Sequence, residues 1–166
     1  MKFLSRSVRV VLLTVVVASG FAMAGSAPSG SVDAAGYRAD SQECAVLEQI
    51  NRYRASRNQG KLELSKSLGA AATDHSADQA RQKKMYHSNL AQLVSKHGYD
   101  GTAFGENVAA GYTSGKAVFG GWQKSTGHNR NMLDGQWKAV GIARDKNGTW
   151  YWTAIFGNEV DKTAKC

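Results

Sequence analysis

Thr149 to Phe156 is an extended run with large apolar side chains on both of its faces. At a strand repeat of two, Tyr151 and Ile155 point one way while Trp150, Trp152 and Phe156 point the other. Such a strand has to be covered on both sides, so it belongs inside a sheet with a layer packed on each face. A second run, Ala139–Arg144, precedes it across Asp145-Lys146-Asn147-Gly148. Asn-Gly between two such runs is the strongest short-range signal for a hairpin.

The upstream half is helical in pattern. Asp40-Ser41-Gln42-Glu43 has the form of a capping box, an acceptor followed three residues later by Glu. Val46, Leu47, Ile50 and Tyr53 recur at helical spacing, which predicts a first helix over 41–57 that stops by Gly60. Ser65 caps a second, with Leu68, Ala71, Ala72, His75, Gln79 and Ala80 along one side, ending near Met85. Residues 88–120 are rich in Gly and Ser and read as loops with a short helix around Ser114–Lys124. Helices first, strands last and a layer on each sheet face make an α+β sandwich.

The first 24 residues read as an address. Lys2, Arg6 and Arg9 precede an apolar stretch, Val10 to Ala18, and Ala22-Met23-Ala24 offers the small residues of a signal-peptidase site before Gly25. The apolar stretch is shorter than the ~20 residues of a spanning helix. The expectation is a signal peptide over 1–24, a protein secreted to the periplasm or the extracellular space, and no integral membrane segment after cleavage. Residues 25–39, with Gly, Ser, Ala and the sole Pro28, form a flexible lead-in.

Export revises two other numbers. The chain carries 21 basic and 13 acidic side chains, and removing the three leader cations leaves 18 against 13, a net +5. That surplus suits contact with an anionic envelope surface and is too small for a dedicated nucleic-acid binder. Cys44 and Cys166 are the only cysteines. Two thiols exclude a disulfide-rich miniprotein and four-thiolate metal sites, and an oxidising compartment permits them to pair. The alternative is one buried thiol and one on a free tail.

Four stretches carry a resemblance. They are Val46-Leu47-Glu48-Gln49-Ile50-Asn51-Arg52-Tyr53-Arg54, then Met85-Tyr86-His87-Ser88, then Gly105-Glu106-Asn107-Val108-Ala109, and last Trp122 to Leu133, which contains Ser125-Thr126-Gly127-His128. In this order and spacing the chain resembles the CAP superfamily, or SCP-like domain, in its bacterial secreted branch. Thr126 stands where that family usually has Pro. The resemblance implies a three-layer α-β-α sandwich over 40–158, with 159–166 as a C-terminal tail.

It also implies a central cleft holding two His and two acidic residues, where some members bind a divalent metal. The matching positions here are His87, Glu106 and His128, while the second acid is replaced by Ser125. Two imidazoles and a carboxylate suit Zn2+ or another divalent ion with a position left open for water. Glu106 has two readings, orienting a cleft water or neutralising the histidines. Ser125 and His128, three apart, would share a helical face and permit a Ser–His–Glu nucleophile, against which stands a helix-capping hydroxyl. Asn107 is expected to fix a turn, His75 to be a packed and hydrogen-bonded core histidine, and His97 to face water. Arg52, Arg54, Arg57 and Lys61 read as a solvated helix face, like Arg81, Lys83 and Lys84. Trp122 and Trp137 read as core.

The leading expectation is a secreted module whose cleft binds a lipid, sterol-like molecule or peptide, with any metal assisting. The alternative is an extracellular hydrolase, metal-assisted or dependent on Ser125 and His128, with Glu106 as a further catalytic candidate. An adhesive wall protein is a third reading, disfavoured because the chain has neither repeats nor a sorting signal.

Overall fold

The computed structural model describes residues 36–166. The expected signal peptide over 1–24 and the expected lead-in as far as residue 35 lie outside the described residues. In chain order the elements are α1 (Ser41–Ala55), β1 (Glu63–Leu64), α2 (Lys66–Gln82), α3 (Leu90–Lys96), β2 (Phe104–Ala110), α4 (Gly115–Lys124), α5 (Thr126–Leu133), β3 (Ala139–Asn147) and β4 (Thr149–Gly157). The four strands lie in the order β1-β3-β4-β2. β1 runs parallel to β3, and the remaining pairs are antiparallel. This is the α+β class that the patterning predicted.

β4 is interior, and its two apolar faces explain why. Trp152, Ala154 and Phe156 join Val46 and Ile50 of α1, Val118 and Trp122 of α4 and Met132 of α5 in one core. Ile155 joins Leu68, Ala71 and Ala72 of α2 and Val94 of α3 in the other. The sheet is thus the middle of three layers. α2 presses so closely on β3 that a Cβ at Gly141 would meet the backbone of Leu68 and Gly69.

The local signals worked where they were chemical. Asp40 accepts from the Gln42 and Glu43 amides at 2.8 Å each, and Glu43 reaches back to the Asp40 amide at 2.8 Å, closing the capping box. Ser65 accepts from the Leu68 amide at 3.0 Å and Ser114 from that of Ala117 at 3.2 Å. Gly148 has φ of +77° at the hairpin tip. Cys44 and Cys166 are bridged, with Cα atoms 5.5 Å apart across 122 positions.

Several expectations are corrected. α2 ends at Gln82, earlier than Met85, because Lys83 turns left-handed at φ +51°. The stretch read as loops holds α3 and β2 as well as α4. Tyr37, placed in the flexible lead-in, is buried, and its hydroxyl donates to the Ile142 carbonyl at 2.6 Å. Arg54 is no solvated residue. It is fully buried and donates to the carbonyls of Gly60, Met132 and Asp134, joining α1 to the chain around α5. His97 is buried against Asp74 at 2.9 Å instead of facing water. Trp122 and Trp137 are core, as expected. In the tail, Ser65 bridges Thr163 and the Ala164 amide donates to the Leu64 carbonyl at 2.7 Å, so the last residues lie along β1.

Candidate functional site

β2 lies at one margin of the sheet and has β4 as its neighbour. Residues opposite each other in an antiparallel ladder share a face. Glu106 opposes Ile155 and so points to the α2 layer, whereas Asn107 opposes Ala154 and points to the layer of α4 and α5. The two neighbours serve different halves of the site.

On the α2 side, Glu106 is buried and its carboxylate is fully engaged. Oε2 receives His87 Nδ1 at 2.7 Å and the Ser88 amide at 3.1 Å, and Oε1 receives the Ser88 hydroxyl at 2.7 Å. The His87 side chain remains 63% exposed. With Nδ1 turned inward to the carboxylate, the opposite ring edge, Nε2, faces outward. His75, on α2, also belongs here. Its Nε2 lies 2.8 Å from the Tyr86 carbonyl and 3.8 Å from Glu106 Oε1. Burial holds its pKa below the ordinary histidine value, Glu106 opposes that shift, and His87 adds to it. The packed histidine foreseen from sequence is confirmed, but its place beside Glu106 was not foreseen. A histidine on the apolar side of a helix carries no other signal.

On the opposite face, Asn107 is fully buried in the strand and fixes no turn. Its amide donates to the His128 carbonyl at 3.1 Å, and its Oδ1 accepts from Asn131 at 3.0 Å. Asn131 also donates to the Glu106 carbonyl at 3.0 Å. These bonds fasten α5 to the margin of β2. The His128 ring packs edge-on to Trp122, 6.5 Å between centroids. Its pKa is lowered by burial and then by the charge of His87, so the two imidazoles sense each other. His87 follows α2 on one side of the sheet, and His128 lies on α5 on the other.

Ser125 stands between α4 and α5 at the N-cap position of α5, but its side chain makes no capping bond there. The capping hydroxyl expected from sequence is therefore not formed. A Ser125–His128–Glu106 relay is not assembled either, since Glu106 is bonded to His87 and Ser88. A groove of about 510 Å³ between α2 and α3 reaches the back of the cluster at His75, Tyr86 and Ser88. Among the described residues, no group of three or more His, Cys, Asp or Glu stands where it could hold a metal ion. No described helix is long and apolar enough to cross a membrane.

The profile of the cysteine-rich secretory protein family, CAP, matches residues 47–156. The chain belongs to the CAP family. Among relatives, the CAP chain is 27% identical over 119 residues to YlbC of Bacillus subtilis (strain 168), described as an uncharacterized membrane protein; the match covers 69% of this chain and 34% of YlbC. The chain thus spans about a third of that relative. Its fold matches an extracellular protein containing a SCP domain from Bacillus anthracis str. Ames at TM-score 0.65 and 24% identity, covering 71% of this chain and 40% of that one. It also matches NaASP2, solved with Zn2+, at TM-score 0.55 and 14% identity, covering 82% and 87%. The matched span of the CAP profile contains His87, Glu106, Ser125 and His128.

Proposed function

We propose that this CAP domain is an extracellular small-ligand binding module that grips its ligand at His87 and His128. The observation that carries the reading is the state of Glu106. A carboxylate that already accepts three hydrogen bonds is a fixed anchor, poorly placed to take a proton from water or from a nucleophile. What the cluster offers outward is imidazole. Burial lowers the pKa of His128 and so favours its neutral ring, which can both accept and donate a hydrogen bond.

A resident metal is not part of this proposal. The expected donors were two imidazoles and Glu106, and the carboxylate is committed to His87 and Ser88. Two imidazoles alone fall short of a zinc shell with three protein ligands. A Ser125 hydrolase lacks the bond from its base to an acid.

The test is to follow the imidazole resonances of the mature protein while adding, in turn, a sterol sulfate, a palmitoyl lysophospholipid and an N-acetylated tripeptide. One class should shift His87 and His128 saturably. His87→Ala and His128→Ala should weaken that binding about 10-fold or more, equivalent to about 1.4 kcal/mol, and Ser125→Ala should leave it unchanged. If no class moves either histidine, the binding reading fails. Hydrolysis of p-nitrophenyl acetate that Ser125→Ala abolishes would move the hydrolase ahead.

A further inference from the structure

His75 makes a contact that the ligand-binding reading does not use. Its side chain is 4% exposed, and its Nε2 lies 2.8 Å from the Tyr86 carbonyl oxygen. A carbonyl only accepts, so Nε2 must carry a proton. The other neighbour of that nitrogen, Glu106 Oε1, is 3.8 Å away, beyond hydrogen-bonding distance. The Nε2–H is therefore committed to Tyr86. The two rings meet edge to face at 87°, their centroids 5.0 Å apart, which fixes the tilt of the imidazole.

Tyr86 sits between α2 and α3, outside any helix or strand, and the next two residues are His87 and Ser88. Holding the Tyr86 carbonyl sets the peptide plane that leads into them. From that plane the His87 ring, the Ser88 amide and the Ser88 hydroxyl all reach Glu106. An ionised carboxylate accepts only, so His87 must donate from Nδ1. In the neutral ring, Nε2 is then left with a lone pair on the exposed side.

We propose that His75 is the positioning residue of this site: by anchoring the Tyr86 carbonyl it places His87 against Glu106 and locks His87 in the tautomer that presents an acceptor nitrogen outward. The ligand met at that nitrogen is one that carries a hydrogen-bond donor, a hydroxyl or an amine. That last step rests on the ligand-binding reading; the positioning role does not.

The experiment is long-range proton–nitrogen correlation on the histidine rings of the full mature chain, with amide exchange at Ser88 read in parallel. In the parent, His75 should be protonated at Nε2 and His87 at Nδ1. His75→Phe keeps the ring and its edge contact but donates nothing, and His75→Asn donates from too short a side chain. Both should move His87 toward the Nε2–H tautomer and speed Ser88 exchange about 10-fold or more. His75→Gln, whose amide sits near the position of Nε2, should restore the parent pattern. A parent whose His75 is protonated at Nδ1 overturns the proposal, and this measurement decides it even if Phe and Asn variants do not fold. A folded His75→Phe with the His87 tautomer and Ser88 exchange unchanged overturns it as well. If the tautomer moves as expected while sterol sulfate, lysophospholipid and tripeptide bind nowhere, the positioning role stands and the ligand reading falls.

Discussion

Glu43 shows what burial does to an acid that is hydrogen-bonded yet short of solvent. Loss of water pushes its carboxyl up to about 7, the bond from the Asp40 amide pulls it down, and the Asp40 charge pushes it up again. The native state therefore holds a proton that the unfolded chain, near 4.5, has already released. Stability from this group is complete below about 4.5 and is lost as pH rises through about 7. Asp40, His75 and His128 shift downward and act in the opposite sense in acid. The effect of Glu43 is best read as a difference from Glu43→Gln in urea titrations at pH 5 and pH 8. The parent should lose up to about 3 kcal/mol more than the variant between the two. Equal losses would mean that Glu43 is ionised at both. Single residues were also where sequence reading was weakest. Arg54 and His97 looked like ordinary surface charges because their partners, Met132 and Asp134 for one and Asp74 for the other, are supplied only by the fold.

Elements whose boundaries are written in local chemistry were legible: the capping box of α1, the Ser caps of α2 and α4, and the hairpin of β3 and β4. β2 was not. Phe104-Gly-Glu-Asn-Val-Ala-Ala is poor in β-branched residues, and it becomes a strand because β4 offers it a ladder. Since Glu106 and Asn107 both sit on that strand, the residues of the site could be named from sequence, but their opposite orientations could not. The hairpin gives a test at this scale. A Cβ at Gly148 would meet nothing within 4 Å, so any cost of substitution comes from its positive φ alone. Gly148→Val should lower the stability by about 1 kcal/mol or more in urea titration. An unchanged midpoint would show that the tip tolerates a branched residue at φ > 0.

Across the whole molecule, the Cys44–Cys166 bridge joins the start of α1 to the end of the tail. In the chain-entropy account, closing 122 positions contributes about 5 kcal/mol by restricting the unfolded chain. Cys166→Ser should lower Tm as much as reductant lowers it in the parent, and reductant should do nothing further to the variant. Thermal melts with and without reductant check this; additional loss in the variant would place the reductant's effect elsewhere. The three-layer arrangement was legible because β4 announced two covered faces. A shared place for His87 and His128 came only from the family resemblance, because with 41 positions of chain between them spacing alone carries no such signal.

A sheet with four strands has two margins, and here each is sealed by something other than a strand. The tail lies along β1, and on β2 the side chain of Asn131 takes the Glu106 carbonyl that an incoming neighbour would need. Polymerisation by adding strand to strand must first dislodge one of these seals. On the β1 side the seal is tied down covalently. Two sulfurs thus hold the cover of one margin in place, and the asparagine that covers a carbonyl of the other is the same one that fastens α5 to β2.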